Sequence, residues 1–325
     1  MRSSIFCCFI LLFIFSSLVL QPTVSSVSTT SNGFFTKKHI KVAFIMQKWD
    51  YMDKLIRVFV IPFYHLRFRE IEKKFNVKCD ICFLWDSWRG GDVQSGKLRK
   101  LNVDVAIGPG GVGAWHTPPR YRMELRRFIQ RGGGFYGICG DSYLGTVGTT
   151  DIPVRYQRVL KKLFGYRHVT SPLRMVNVRS DPSIFLEEFK PVYTHNNFYV
   201  LLFIIRLYLS TCDVYIQDEE LPFANSLRGE TVKIMPGCAP LVEGLPFYDL
   251  FLPGFQVIGT FVDSRSPYDP TLLTGKYAIV ASEYGEGRVI LSPVHPEVSA
   301  GRAGAHTVFD EGLLWLAQLD EYLEQ

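Results

Sequence analysis

The 325-residue chain lacks several features that would assign it quickly. It has no internal repeat and no heptad pattern, so solenoid and coiled-coil architectures are excluded. It has no stripe of basic residues interleaved with aromatics. Its formal charge of +5 is scattered, with small knots at Lys37-Lys38, Arg126-Arg127 and Lys161-Lys162, and nucleic acid is not an expected partner. No spacing of histidine, cysteine and carboxylate fits a metal site, so no metal is expected. None of the glycine-rich loops carries the Lys-Ser/Thr pair of a nucleotide phosphate loop, and no cofactor is expected. There is no Asn-x-Ser/Thr acceptor, so glycosylation offers no support for export. What remains is an ordinary globular composition, 47% hydrophobic and 21% charged.

The first 30 residues are different material. Arg2 precedes an apolar run from Ile5 to Leu20, and a Ser/Thr/Val segment follows. This pattern is that of a secretory signal peptide or, if uncleaved, a signal anchor. Either places the rest of the chain in the secretory pathway or outside the cell, with membrane contact only through that segment. Five cysteines lie beyond it: Cys79, Cys82, Cys139, Cys212 and Cys238. An odd number in an exported protein implies a thiol outside any disulfide, and Cys139 is the candidate. Pairing of Cys212 with Cys238 is left open. Cys79 and Cys82 sit three apart on an alternating run, where they face opposite sides of a strand, and are read as structural.

Residues 38–325 read as one α/β domain. Strands are expected at Lys41–Met46, Val77–Leu84, Val103–Ile107 and Phe135–Ile138. Apolar side chains recur at helical spacing from Met52 to Phe75, with Pro62 as an interruption, and Arg120–Gln130 is an amphipathic helix stopped by Gly132-Gly-Gly134. This rhythm of strand and helix predicts a mostly parallel central sheet covered on both faces. The stretch from about 150 to 255 reads as an insertion or elaboration with further strands at Leu173–Val178, Val192–His195, Tyr199–Leu209 and Val232–Met235. Strands return at Phe255–Phe261, Tyr277–Glu283 and Arg288–Leu291, the last two joined by a Tyr284-Gly-Glu-Gly287 turn. Val308–Tyr322 is a closing helix.

The chemistry concentrates at strand ends. Cys139 follows the Phe135–Ile138 strand and is bracketed by Gly137 and Gly140, the setting of a nucleophile on a sharp strand-to-helix turn. A cysteine attacks as its thiolate, so it needs a base or a lowered pKa, and the N-terminus of a following helix would favour the negative sulfur. His295, after the apolar strand Val289–Leu291, is the candidate base, with Glu297 to orient the ring. Gly108-Pro-Gly-Gly111 also follows a strand. The amides of Gly110 and Gly111, with that of Gly140, are candidate oxyanion donors. Asp50, His116, Asp141, His195 and Asn196 are candidate pocket residues, Asp141 also as a cap of the following helix.

Gly-Ile-Cys139-Gly, with Gly-Arg-Val-Ile-Leu-Ser-Pro-Val-His295-Pro-Glu297, resembles the class I glutamine amidotransferase-like superfamily, and Pro109-Gly-Gly111 resembles its oxyanion strand. The run from Arg126 to Gly140 and the Pro236-Gly-Cys238 segment resemble the amidotransferase-like N-terminal domain of biotin-protein ligases in stand-alone form. The resemblance implies a flavodoxin-like sandwich, a Cys139-His295-Glu297 triad, and attack on an amide through a thioester. The implied substrate is a small amide, a γ-glutamyl amide or a peptide. Asp141 departs from the small residue usual two places after the cysteine. Two alternatives stand beside this reading: a non-catalytic ligand-binding relative of the same fold, and a cysteine peptidase.

Overall fold

The computed structural model describes residues 38–48, 61–111, 113–151, 169–182, 211–263, 271–299 and 302–323. The leader expected at 1–30, the candidate pocket residues Asp50, His195 and Asn196, and the strands expected at 192–195 and 199–209 lie outside them.

The first half of the sheet follows from runs of residues that are apolar on both faces. Strands β1 (His39–Gln47), β2 (Lys78–Ser87), β4 (Val105–Gly108), β5 (Gly134–Ile138) and β13 (Gly287–Ser292) lie side by side in the order β2-β1-β4-β5-β13, all parallel. Every residue of β4 and β5 is buried, as expected for strands covered above and below. Helices supply the covers. Phe44 and Met46 pack on one face with Tyr64 and Phe68 of α1 (Ile61–Lys74) and Phe309 and Leu313 of α4 (Ala303–Leu316). Ala43 and Ile45, on the alternate face, pack with Tyr121, Leu125 and Phe128 of α3 (Pro119–Gln130). The intervening α2 (Lys97–Lys100) is a single turn that buries Leu98.

The second half is mostly antiparallel. β12 (Tyr277–Tyr284) pairs antiparallel with β13 and passes the sheet on to β10 (Leu241–Glu243), β7 (Val178–Ser180) and, parallel to β7 at the edge, β6 (Gly148–Thr149). β11 (Phe255–Phe261) branches from β12 and leads to β8 (Cys212–Ile216) and β9 (Thr231–Ile234). The remaining edge strand, β3 (Gly90–Gly91), is antiparallel to β2. The sheet is therefore mixed, and the expectation of a mostly parallel one holds only for its centre. Short hairpin connections such as Gly285-Glu286 between β12 and β13 can join only antiparallel neighbours.

Two smaller expectations change, while the interruption expected at Pro62 falls at the edge of residues 49–60, which lie outside the described residues. Leu173, Met175 and Val176 are buried without a strand partner, because their amides bond to the carbonyls of Leu144 and Gly145. The closing helix ends at Leu316, just before Gln318 at φ 55°, and Asp320–Tyr322 is a separate 3-10 turn. Among the described residues no helix is long and apolar enough to cross a membrane.

Candidate active site

Parallel neighbours bring their carboxyl ends to one edge, and ligand sites of such sheets form there. Gly108 of β4 lies opposite Gly137 of β5, and Ser292 of β13 lies opposite Ile138. The loops that follow these three strands carry Gly110-Gly111, Cys139 and His295 respectively. Register alone thus gathers residues far apart in the chain.

Cys139 leaves β5 with φ 53°, a left-handed conformation that costs a non-glycine residue about 1–3 kcal/mol. The turn is held by backbone packed too closely for side chains. A Cβ on Gly140 would sit 1.5 Å from the carbonyl oxygen of Gly111, and one on Gly110 would sit 2.8 Å from Cys139 Cβ. Asp141, 1% exposed, ties the turn to its surroundings by accepting from Gln47 Nε2 (2.7 Å) and from the Gly110 amide (3.0 Å). It is a buried clamp between the ends of β1, β4 and β5. The Gly110 amide, expected to face an oxyanion, donates to this carboxylate instead. The segment after Cys139 is a 3-10 helix, Cys139–Gly145, where an α-helix is expected. Its buried residues and glycines at both ends suit a tight turn against β13, and little helix dipole is available to the sulfur.

Side chains and one amide polarise the sulfur in its place. The Cys139 thiol is held well below the ordinary thiol range. A hydrogen bond from Cys238 is the largest cause; burial opposes it, and the charge and hydrogen bond of His295 and the Gly111 amide add to it. His295 responds in the opposite sense. Burial lowers its pKa, but the Glu297 carboxylate and the Cys139 sulfur outweigh that and push it up to about 10. Both shifts favour a thiolate facing an imidazolium at neutral pH. His295 Nδ1 lies 2.7 Å from Glu297 Oε1, which also accepts from Tyr64 Oη at 3.2 Å. Glu297 is only 2% exposed. α1 is fixed in turn through Arg67, whose guanidinium grips the buried Asp310 of α4, with Nε 2.7 Å from Oδ1.

The His295 loop is strapped from outside the parallel half. Its amide donates to the Met235 carbonyl (2.8 Å), and the Cys238 amide donates to the Pro293 carbonyl (2.8 Å). Ser299 Oγ accepts from the Met235 amide at 2.9 Å and donates to the His295 carbonyl at 2.7 Å. The strap runs from the end of β9 through Pro236-Gly237, and Gly237 packs so close that a Cβ there would be 3.2 Å from His295 Cδ2. Cys238 thereby reaches Cys139. Its thiol is raised well above the ordinary range by the hydrogen bond to Cys139, by burial and by the charge of Cys139. The bridge to Cys212 that the sequence leaves open is not formed: Cys212 Sγ, on β8, lies 3.4 Å from the Ile234 carbonyl of β9.

Cys139, His295, Glu297 and Gly111 are thus brought together, and Gly140 shapes their turn. His116 is used otherwise, its ring lying flat on Trp88 at 4.3 Å between centroids. Sequence reasoning misses three residues: Cys238, Tyr64 and Gln47. Only Cys238 carries a local signal, the Pro-Gly-Cys run that follows an apolar strand.

No protein-family model matches this chain, and no curated protein matches it. Among solved structures it is similar to a putative ThuA-like protein from Bacteroides uniformis (10% identity, TM-score 0.45, 88% of this chain and 95% of that one). It is also similar to the glutaminase domain of Trypanosoma brucei CTPS (13% identity, TM-score 0.43, 84% of this chain and 93% of that one). A third is Gan42B, a GH42 β-galactosidase from G. stearothermophilus (10% identity, TM-score 0.42, 85% of this chain). The chain spans 29% of that β-galactosidase.

Proposed function

We propose that the protein is a cysteine-dependent amide hydrolase of the glutamine amidotransferase-like kind, with Cys139 as nucleophile, His295 as acid and base, and Glu297 as the group that orients the ring. The observation that carries this reading is the gathering of Cys139, His295 and Glu297 at one sheet edge, with His295 Nδ1 2.7 Å from Glu297 Oε1, the imidazole charge acting on the sulfur, and the sulfur on a strained left-handed turn.

The Cys139 thiolate attacks an amide carbonyl carbon, forming a C–S bond and an oxyanion. The Gly111 amide, which donates to the sulfur at rest, is released as the sulfur acylates and is placed to receive the oxyanion. The His295 imidazolium gives its proton to the leaving nitrogen as the C–N bond breaks, and the amine or ammonia departs from the thioester. Neutral His295 then takes a proton from water, whose oxygen attacks the thioester carbon. The C–S bond breaks and the acid is released. Glu297 holds the imidazolium and its tautomer throughout.

The substrate class is a small amide, a γ-glutamyl amide first among them, and the N-terminal leader places the reaction in the secretory pathway or outside the cell. The test uses acivicin, an electrophilic glutamine analogue. Labelling of Cys139 in the wild-type chain at neutral pH, lost in His295→Ala, supports the enzyme. Absence of labelling in the wild-type chain refutes it and favours a ligand-binding relative.

A further inference from the structure

The mechanism above uses Cys139 and leaves its neighbour Cys238 unused. The two thiols come from different halves of the sheet. Cys139 stands on the turn after β5 and Cys238 on the strap that follows β9; Ile138 is in register with Ser292, and the Cys238 amide bonds to the carbonyl of the next residue, Pro293, at 2.8 Å, so both cysteines flank the start of the His295 loop and each thiol perturbs the ionisation of the other. Both are partly exposed. The backbone around each is fixed. Gly140 is locked against the Gly111 carbonyl, and the Cys238 amide is bonded to Pro293. Ser142 also reaches both residues, donating to the Cys139 carbonyl at 2.6 Å and bonding the Cys238 thiol. A pair held this way differs from two surface thiols that meet by diffusion.

We infer that Cys139 and Cys238 form a reversible modification site, in which a peroxide converts the two thiols into a disulfide that caps the nucleophile. The first step is attack of the Cys139 thiolate on one peroxide oxygen. The S–O bond forms, the O–O bond breaks, and the departing hydroxide (from hydrogen peroxide) takes a proton from His295 to leave as water. Cys139 is then a sulfenic acid. In the second step Cys238 loses its proton and its sulfur attacks Cys139 Sγ; the S–S bond forms, the S–O bond breaks, and a second water leaves. Two thiols are oxidised by two electrons and one peroxide is reduced to two waters. The division of roles follows the electrostatics: the sulfur that is a thiolate at neutral pH reacts with the oxidant, and the one that keeps its proton resolves the product. The bond itself needs no substrate; only its effect, a reversible stop on hydrolysis, rests on the amide-hydrolase reading.

The experiment takes the full reduced chain, treats it with hydrogen peroxide at neutral pH, blocks the remaining thiols and maps the peptides by mass spectrometry. The expected product is one linked Cys139–Cys238 peptide pair, with both thiols recovered after dithiothreitol. In Cys238→Ser the expected product is Cys139 trapped by dimedone as its sulfenic acid, while Cys212→Ser leaves the cross-link unchanged. The inference is overturned if wild-type Cys139 stays reduced, or accumulates as the dimedone adduct or sulfinic acid while Cys238 stays alkylatable. A cross-link to Cys79, Cys82 or Cys212 in place of Cys238 also overturns it. Peptide mapping of the wild-type chain decides the matter even if Cys238→Ser fails to fold. A protein that forms the cross-link but takes no acivicin keeps this inference and loses the hydrolase reading; one labelled by acivicin without a cross-link does the reverse.

Discussion

The two halves of the sheet are built on different patterns and serve the site differently. In the parallel half, β4 and β5 are buried at every position, because helices cover both faces. In the antiparallel half, β8 and β9 alternate between buried and less buried residues, as strands with one drier face do. The parallel half places three loops side by side by register, and so it supplies sulfur, imidazole and amides. The antiparallel half supplies the strap that fixes His295 and brings a second thiol to the first. The proposed chemistry belongs to one half, and its positioning and proposed regulation draw on the other.

The division can be broken at graded points. Replacing the nucleophile should have the largest effect: Cys139→Ala abolishes acivicin labelling and lowers any amide turnover by at least about 10³-fold, measured in steady-state assays. Next is the turn itself. Gly140→Ala forces a Cβ to within 1.5 Å of a carbonyl oxygen, and denaturant unfolding should show a loss of about 2–3 kcal/mol or an unfolded chain. The two loops that follow β4 and β5 must move apart to accommodate it, so labelling should fall too.

Removing the orienting charge is milder. Glu297→Gln takes away the carboxylate that holds His295 in its cationic form, so the Cys139 pKa should rise. Iodoacetamide alkylation of Cys139 at pH 7 should slow by roughly tenfold for each unit of that rise. In the wild-type protein the thiol pKa is depressed, so its anion persists as pH falls until that lowered value is crossed. Alkylation should therefore fall off at lower pH than that of an ordinary thiol, which loses about tenfold per unit below its pKa. Hydrolysis should fail at the other end. As pH passes the His295 value of about 10, the imidazolium that protonates the leaving amine disappears while the thiolate remains, so turnover falls and alkylation does not. The smallest effect is expected on the exposed edge of the antiparallel half. Thr231→Ala in β9 should change stability by no more than about 0.5 kcal/mol and leave labelling unchanged. A large effect there would erase the contrast between the halves.

The buried parallel strands were legible because their central stretches, such as Val105–Ile107, Phe135–Ile138 and Val289–Leu291, are short apolar runs. The site residues at their ends were legible for the same reason: Cys139 between glycines and His295 before a proline both follow such a run. The mixed character of the sheet was not. A strand's own sequence carries its burial pattern but not the direction of its neighbour, and the Pro/Gly-rich turns of residues 150–255 mark where segments end but not which of them pair. Asp141 was visible as a departure, but its role as a clamp depends on Gln47 and Gly110, which come from other strands.

By itself the sequence determined which strands are buried on both faces, and that a thiol, an imidazole and a carboxylate follow two of them. Those properties are local, set by side-chain type within a few residues. The tertiary structure alone decided that Tyr64 reaches Glu297 and that Cys238 meets Cys139 and not Cys212. Such contacts depend on strand order and on how far each loop reaches across the sheet edge. The free energy that fixes them is spread over the whole core, not written in the residues that touch.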